Sequence, residues 1–181
     1  MIKFGAMDNN LKTLRARFLN YDAGNYFITI CTAERRHYFG EIIEGKMMLT
    51  ELGHYVDSQL REASRKSNVE VPLWVVMPDH IHAIVGLLKN VDTPTMPTAQ
   101  RAVAPPLRTC EAETRYVPSL SRYVNSLKGA VTKYARKNGI TFAWQSSYYD
   151  HWIRSRCDGN AIAEYILGNV ARWSASQSDK E

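Results

Sequence analysis

Two histidines stand one residue apart, His80 and His82, within Met77-Pro78-Asp79-His80-Ile81-His82-Ala83-Ile84-Val85. Their flanks suit a strand: Trp74, Val75 and Val76 before, Ala83, Ile84 and Val85 after. Side chains alternate along a strand, so both imidazoles point to one face of a stiff ribbon. Neutral imidazole is a common ligand of divalent metals, and a side-by-side pair makes half of such a site. Asp79 is placed to accept from a ring N–H and so to orient it. A site with only two or three neutral ligands leaves positions open to phosphate oxygens. A buried pair bonded to backbone carbonyls would leave the same trace in the sequence.

Far downstream, Tyr165 and Asn169 lie four residues apart in Tyr165-Ile166-Leu167-Gly168-Asn169. In a helix that spacing puts phenol and amide one turn apart on one face. A tyrosine in an amphipathic helix is ordinarily core material. To act as a nucleophile it needs help, because a phenol ordinarily ionises near pH ~10. A metal or cation beside it favours the phenolate. Attack on a phosphodiester would leave one DNA end on a phosphotyrosine and the other as a free hydroxyl. That link conserves the bond energy, so the strand can be rejoined without a nucleotide cofactor. Asn169 can offer its amide oxygen as a third ligand, or it can cap a helix end. A third cluster, Trp144-Gln145-Ser146-Ser147-Tyr148-Tyr149-Asp150-His151-Trp152-Ile153-Arg154, is dense in aromatics. Stacking surfaces beside cations suit unpaired bases and phosphates, and a half-buried edge strand has the same composition.

These groups need a scaffold. A chain of 181 residues fits one domain with a real core. A net charge of +5 leans mildly toward an anionic partner. Cys31, Cys110 and Cys157 are scattered, form no CxxC pair and suit reduced thiols in a cytoplasm. Met1 to Asn10 lack a long apolar core, so no secretory signal is expected. No window approaches the roughly 20 apolar residues of a membrane span.

Residues 1–22 are mixed and basic and read as an arm or short edge element. Tyr26–Cys31 is a strand. Glu34-Arg35-Arg36 is a turn, and a further extended stretch from His37 to Leu49 breaks near Glu44-Gly45-Lys46. Thr50 caps a helix over 51–66, with Leu52, Val56, Leu60 and Ala63 at helical spacing. Strands follow over Val71–Met77 and His80–Leu88, joined by a tight hairpin or running on as one bent strand. Residues 90–118, with Pro94, Pro97, Pro105, Pro106 and Pro118, make a mobile loop or insertion. Ser119 or Ser121 caps a helix reaching Asn138 with the stripe Leu120, Tyr123, Val124, Leu127, Val131 and Tyr134. Ile140–Trp144 is a short strand. One last helix runs from Asp158 or Asn160 to Trp173, and a polar tail over 174–181 frays. Strands and helices segregate in part, which predicts an α+β sandwich: an antiparallel sheet with helices on one face.

Taken together, these clusters resemble the REP-associated tyrosine transposases, a branch of the single-tyrosine HUH transposases of bacterial insertion sequences. The resemblance spans about Tyr26 to Trp173, interrupted by the 90–118 segment. Pro78-Asp79-His80-Ile81-His82 is similar to the metal-binding HUH motif, and Glu164-Tyr165-Ile166-Leu167-Gly168-Asn169 to the tyrosine helix. Trp144 to Arg154 resembles the segment before that helix. Val170 departs from the proline common in relatives.

The resemblance implies a ferredoxin-like HUH-endonuclease fold, a central antiparallel sheet with flanking helices. It implies Mg²⁺ or Mn²⁺ on His80, His82 and Asn169, with Tyr165 as the catalytic nucleophile. It implies single-stranded hairpin DNA, a repetitive extragenic palindrome with a short flanking recognition tetranucleotide, cut and rejoined through a 5′-phosphotyrosine. Arg35, Arg36, Lys128, Lys133 and Arg154 are candidate DNA-backbone contacts. The expected setting is the bacterial cytoplasm, at the nucleoid, as a monomer or homodimer with no membrane partner. Three rivals stay open: a non-catalytic hairpin-binding regulator, a metal-dependent hydrolase using activated water, and a structural protein with incidental histidines.

Overall fold

β-branched and aromatic residues build the central strand, β1 (Gly24–Cys31), in which buried and half-buried positions interleave. The computed structural model describes residues 24–63, 69–87 and 120–178. β1 pairs antiparallel with β5 (His80–Leu87) on one side and β6 (Tyr149–Trp152) on the other. β4 (Val69–Val76) lies outside β5, giving a four-stranded antiparallel sheet in the order β4-β5-β1-β6. The β4–β5 connection is the tight hairpin. Its corner is pinned from outside: Thr32 N–H and Oγ1–H both donate to the Asp79 carbonyl, at 2.9 and 3.0 Å. The register of β4 shifts between Glu70 and Leu73, where Pro72 has no N–H to give; an edge strand tolerates that.

β2 (Gly40–Ile43) and β3 (Lys46–Leu49) form a separate hairpin. Glu44 and Gly45 turn it with φ of 49° and 74°, the left-handed pair that suits a two-residue hairpin loop. α1 (Glu51–Ala63) begins where Thr50 Oγ1 accepts from Gly53 N–H at 3.1 Å. α2 (Leu120–Lys137) stops at Gly139, whose φ is 68°. Leu52, Val56 and Leu60 of α1 and Val124, Leu127 and Val131 of α2 pack on Ile28, Ile30, Ile81, Ala83 and Val85 of the sheet.

The opposite face of the sheet is also covered. Ile84, Ile153 and Ile166 form a second core there, with Phe27, Leu73, Val75 and Ile162 against it. Ile162 and Ile166 belong to α3 (Arg156–Leu167). Helices therefore flank both faces, not one as the sequence predicts. The reason lies in β5, which is buried from His80 to Gly86 with no polar-out alternation and needs cover on each side.

Three further expectations change. The last helix is two: α3 ends at Gly168 and α4 runs Asn169–Ser178. Ser174 does not begin a frayed tail, because α4 continues past it and Ser174 Oγ donates to the Val170 carbonyl at 3.2 Å. Residues 140–144 contribute only an isolated bridge from Trp144 to Thr32, while the aromatic run supplies β6. The 90–118 segment and the basic stretch 1–22 lie outside the described residues, as does Cys110. No described helix is long and apolar enough to cross a membrane.

Candidate functional site

Register decides which side chains meet. In β1–β5 pairing, Thr29 stands opposite His82 and Cys31 opposite His80. Both imidazoles therefore share a face with Phe27 and Thr29, on the α3 side of the sheet. Each ring is held from its Nδ1 edge. Asp79 Oδ1 lies 2.5 Å from His80 Nδ1, and Thr29 Oγ1 lies 2.8 Å from His82 Nδ1. Arg35 Nε stands 3.1 Å from Asp79 Oδ2 and ties the 33–35 turn to the same carboxylate. Phe27 stacks on the His82 ring at 5.3 Å and 26°.

So anchored, the two Nε2 atoms turn toward each other and stand 3.0 Å apart. Two ligands at right angles about an ion, with bonds of about 2.1 Å, stand about 3.0 Å apart. The imidazoles are only 5% exposed. Burial first, then the neighbouring His80 and Arg35, push the His82 imidazole down to about 3 against the pull of Asp79. His82 is thus neutral near pH ~7, the form that ligates a metal. For Asp79 burial raises the pKa, but the His80 hydrogen bond and the charges of His80 and Arg35 outweigh it and hold the carboxyl below its ordinary value.

Tyr165 comes to the same nitrogen. Its hydroxyl is 3.4 Å from His82 Nε2, long for a hydrogen bond but within reach of anything held there. Its ring meets His82 at 5.2 Å and Phe27 at 6.0 Å, both edge-on. Buried Ala163 and Ile166 fix α3 on the sheet while Tyr165 stays 40% exposed, open to an incoming strand. Burying Ile166 contributes about 2 kcal/mol to that docking.

Asn169 is no longer on the helix of Tyr165; it opens α4 after the break at Gly168. It is 6% exposed, and its amide nitrogen has no hydrogen-bond partner among the described residues. A buried amide normally pairs. A half-turn about the Cβ–Cγ bond would put a bare carbonyl oxygen in that position. Among the described residues no group of three or more His, Cys, Asp or Glu gathers to hold a metal. What the fold does bring together is the imidazole pair, with Asn169 a buried carboxamide at the start of α4.

The five cations separate. Arg35 is at the site through Asp79. Arg36 pairs with Glu34 at 2.6 Å on the surface. Arg154 lies over the exposed Trp152 ring at 5.5 Å, at the end of β6. Lys128 and Lys133 belong to α2, on the far face of the sheet. Lys128 is also spent: its ammonium donates to the carbonyls of Gln145 at 2.8 Å and Ser147 at 3.1 Å, and burial lowers its pKa. Lys128→Met is expected to cost about 1 kcal/mol in urea unfolding. It is expected to leave the salt dependence of DNA binding unchanged, whereas loss of a phosphate contact would shallow that slope by about 0.7.

Sequence reasoning passed over Thr29, Phe27 and Arg172. Arg172 donates from Nη1 to the Tyr165 carbonyl at 2.9 Å and lies 5.1 Å from the Tyr165 ring centroid. Gly168 makes room for it, since a Cβ there would stand 3.2 Å from Arg172 Nη2. The spacing of Tyr165 and Arg172 gave no signal, because the helix break at Gly168 lies between them.

No protein-family model matches the chain. An uncharacterized protein of Haemophilus influenzae is 32% identical over 179 residues, covering 97% of this chain and 96% of its own length. Among solved structures, the REP-associated tyrosine transposase bound to a REP hairpin is similar in fold: TM-score 0.53 at 20% identity, covering 82% of this chain and 67% of that one.

Proposed function

We propose that this chain, which belongs to the same family as the uncharacterized Haemophilus influenzae protein and has the fold of the REP-associated tyrosine transposase, is a metal-dependent single-stranded DNA endonuclease and strand transferase. The observation that carries the reading is the Tyr165 hydroxyl at 3.4 Å from His82 Nε2, with His80 Nε2 3.0 Å from that same nitrogen. His80, His82 and Asn169 would hold Mg²⁺ or Mn²⁺. When bound, the cation would supply Lewis-acid polarisation of a phosphodiester.

The chain's own groups do the rest. Asp79 and Thr29 aim the imidazoles. Tyr165 Oη attacks phosphorus; the new O–P bond forms as the bond to the 3′ oxygen breaks. The phenol proton leaves to water along the exposed side of the ring, and the 3′ oxygen takes up a proton to become a hydroxyl. The 5′ end stays on Tyr165, and the reverse reaction joins it to another 3′-hydroxyl. Phe27 and Arg172 hold the phenol ring in place. Arg35, Arg36 and Arg154 are exposed cations that would meet backbone phosphates, the first two while still paired with Asp79 and Glu34. Tyr149 and Trp152, 58% and 53% exposed, offer ring faces to unpaired bases. The substrate class is hairpin DNA of the REP type, which places the work at the bacterial nucleoid.

Incubation with end-labelled hairpin single-stranded DNA and Mn²⁺ tests this. The expected products are an upstream fragment ending in a free 3′-hydroxyl and a downstream fragment, joined to the protein through its 5′ phosphate, that migrates with the protein on a denaturing gel. Binding without cutting would instead favour a regulator that kept the fold. Two free ends would favour a hydrolase.

A further inference from the structure

We propose that Thr29 is a positioning residue whose hydroxyl sets the tautomer of His82, and so decides whether the two Nε2 atoms bind each other or a cation. The inference rests on His80 and His82 being cation ligands. The two rings are anchored by groups of different character. An ionised carboxylate only accepts, so beside Asp79 a singly protonated His80 carries its proton on Nδ1 and a bare lone pair on Nε2. A threonine hydroxyl both donates and accepts, and Thr29 Oγ1 lies 2.8 Å from His82 Nδ1.

Two arrangements follow. In the first, Thr29 donates to Nδ1, and His82 Nε2–H donates across 3.0 Å to His80 Nε2. The pair is then closed on itself, with every ring nitrogen satisfied. In the second, Thr29 accepts from Nδ1–H, and two Nε2 lone pairs face one another. That arrangement is repulsive without a cation and suited to one. Passage from the first to the second exchanges a proton on Nε2 for one on Nδ1 through solvent, with no change in net charge, while the hydroxyl turns about its C–O bond. The ring itself need not move. Phe27 stacks on it at 5.3 Å, and the register holds Thr29 directly opposite. Valine keeps the shape of this side chain and the strand preference but has no hydroxyl to accept with, so the second arrangement would bury an unpaired N–H.

Mn²⁺ titration calorimetry of the full chain without DNA tests the role apart from activity. Thr29→Val is expected to weaken Mn²⁺ binding about 10- to 100-fold, and Thr29→Ser to restore it close to wild type. His82→Ala serves as the reference for a lost ligand. Melting in chelator checks that each variant is folded. Wild-type affinity in Thr29→Val beside a loss in His82→Ala overturns the role of Thr29 alone. Wild-type affinity in both overturns the cation reading beneath it as well. Equal loss in the valine and serine variants, with lowered melting temperatures, would assign Thr29 to packing and overturn the proposal.

Discussion

Tyr165→Phe is expected to abolish covalent attachment of DNA, lowering strand cleavage by on the order of a thousandfold or more, while binding stays within a few-fold. The change removes one oxygen and little else. The ring contacts with Phe27, His82 and Arg172, at 6.0, 5.2 and 5.1 Å, are made by ring faces and edges that phenylalanine keeps. The lost contact to His82 Nε2 is long at 3.4 Å, so its contribution to stability is small. Cleavage and binding are thereby separated, by gel assay and by fluorescence anisotropy on one labelled hairpin. If turnover survives in the variant, activated water does the chemistry. If binding falls as far as cleavage, the tyrosine is structural.

His80→Ala and His82→Ala are each expected to suppress cleavage by about 100-fold or more and to erase the thermal stabilisation that Mn²⁺ gives the wild type. Without metal the two variants part. His80→Ala strands the buried Asp79 carboxylate with Arg35 as its remaining ion partner, and is the more destabilising. His82→Ala removes a ring that folding keeps neutral down to about 3, against an ordinary 6.5. The unfolded chain takes up that proton first, so wild-type stability falls as pH drops below 6.5 toward 3, and the variant lacks this part of the fall. Urea unfolding in chelator at several pH values reads the difference. A large metal-free loss in both variants, with no response of the wild type to Mn²⁺, would assign the pair to the core.

Much of the scaffold is written in short-range pattern. β1 and β5 are runs of Ile, Val and aromatic residues, and Thr50 announces α1. The histidine pair and Tyr165 stand out by type and spacing. What pattern does not carry is pairing across distance. That Thr29 faces His82, and that Arg35 reaches Asp79, are facts of register and of how a turn lies beside a hairpin corner. The second covered face was hidden for a related reason, since one helix looks like another until its partner face is known. The break at Gly168 was visible as a glycine, but the apolar positions Ile162, Ile166, Val170 and Trp173 run through it at helical spacing and mask it. Lys128 shows the limit for charges. Composition reads it as a solvated cation or a phosphate contact, and only the fold shows the carbonyls it donates to.

The most direct measurement is the site of attachment. After reaction with hairpin single-stranded DNA and Mn²⁺, the protein is digested with trypsin and with nuclease, and the adduct is located by mass spectrometry. The expected adduct is a nucleotide joined through its 5′ phosphate to the peptide Cys157–Arg172, on Tyr165, the one tyrosine that the peptide contains. An adduct on any other residue, or cut strands with both ends free, would contradict it.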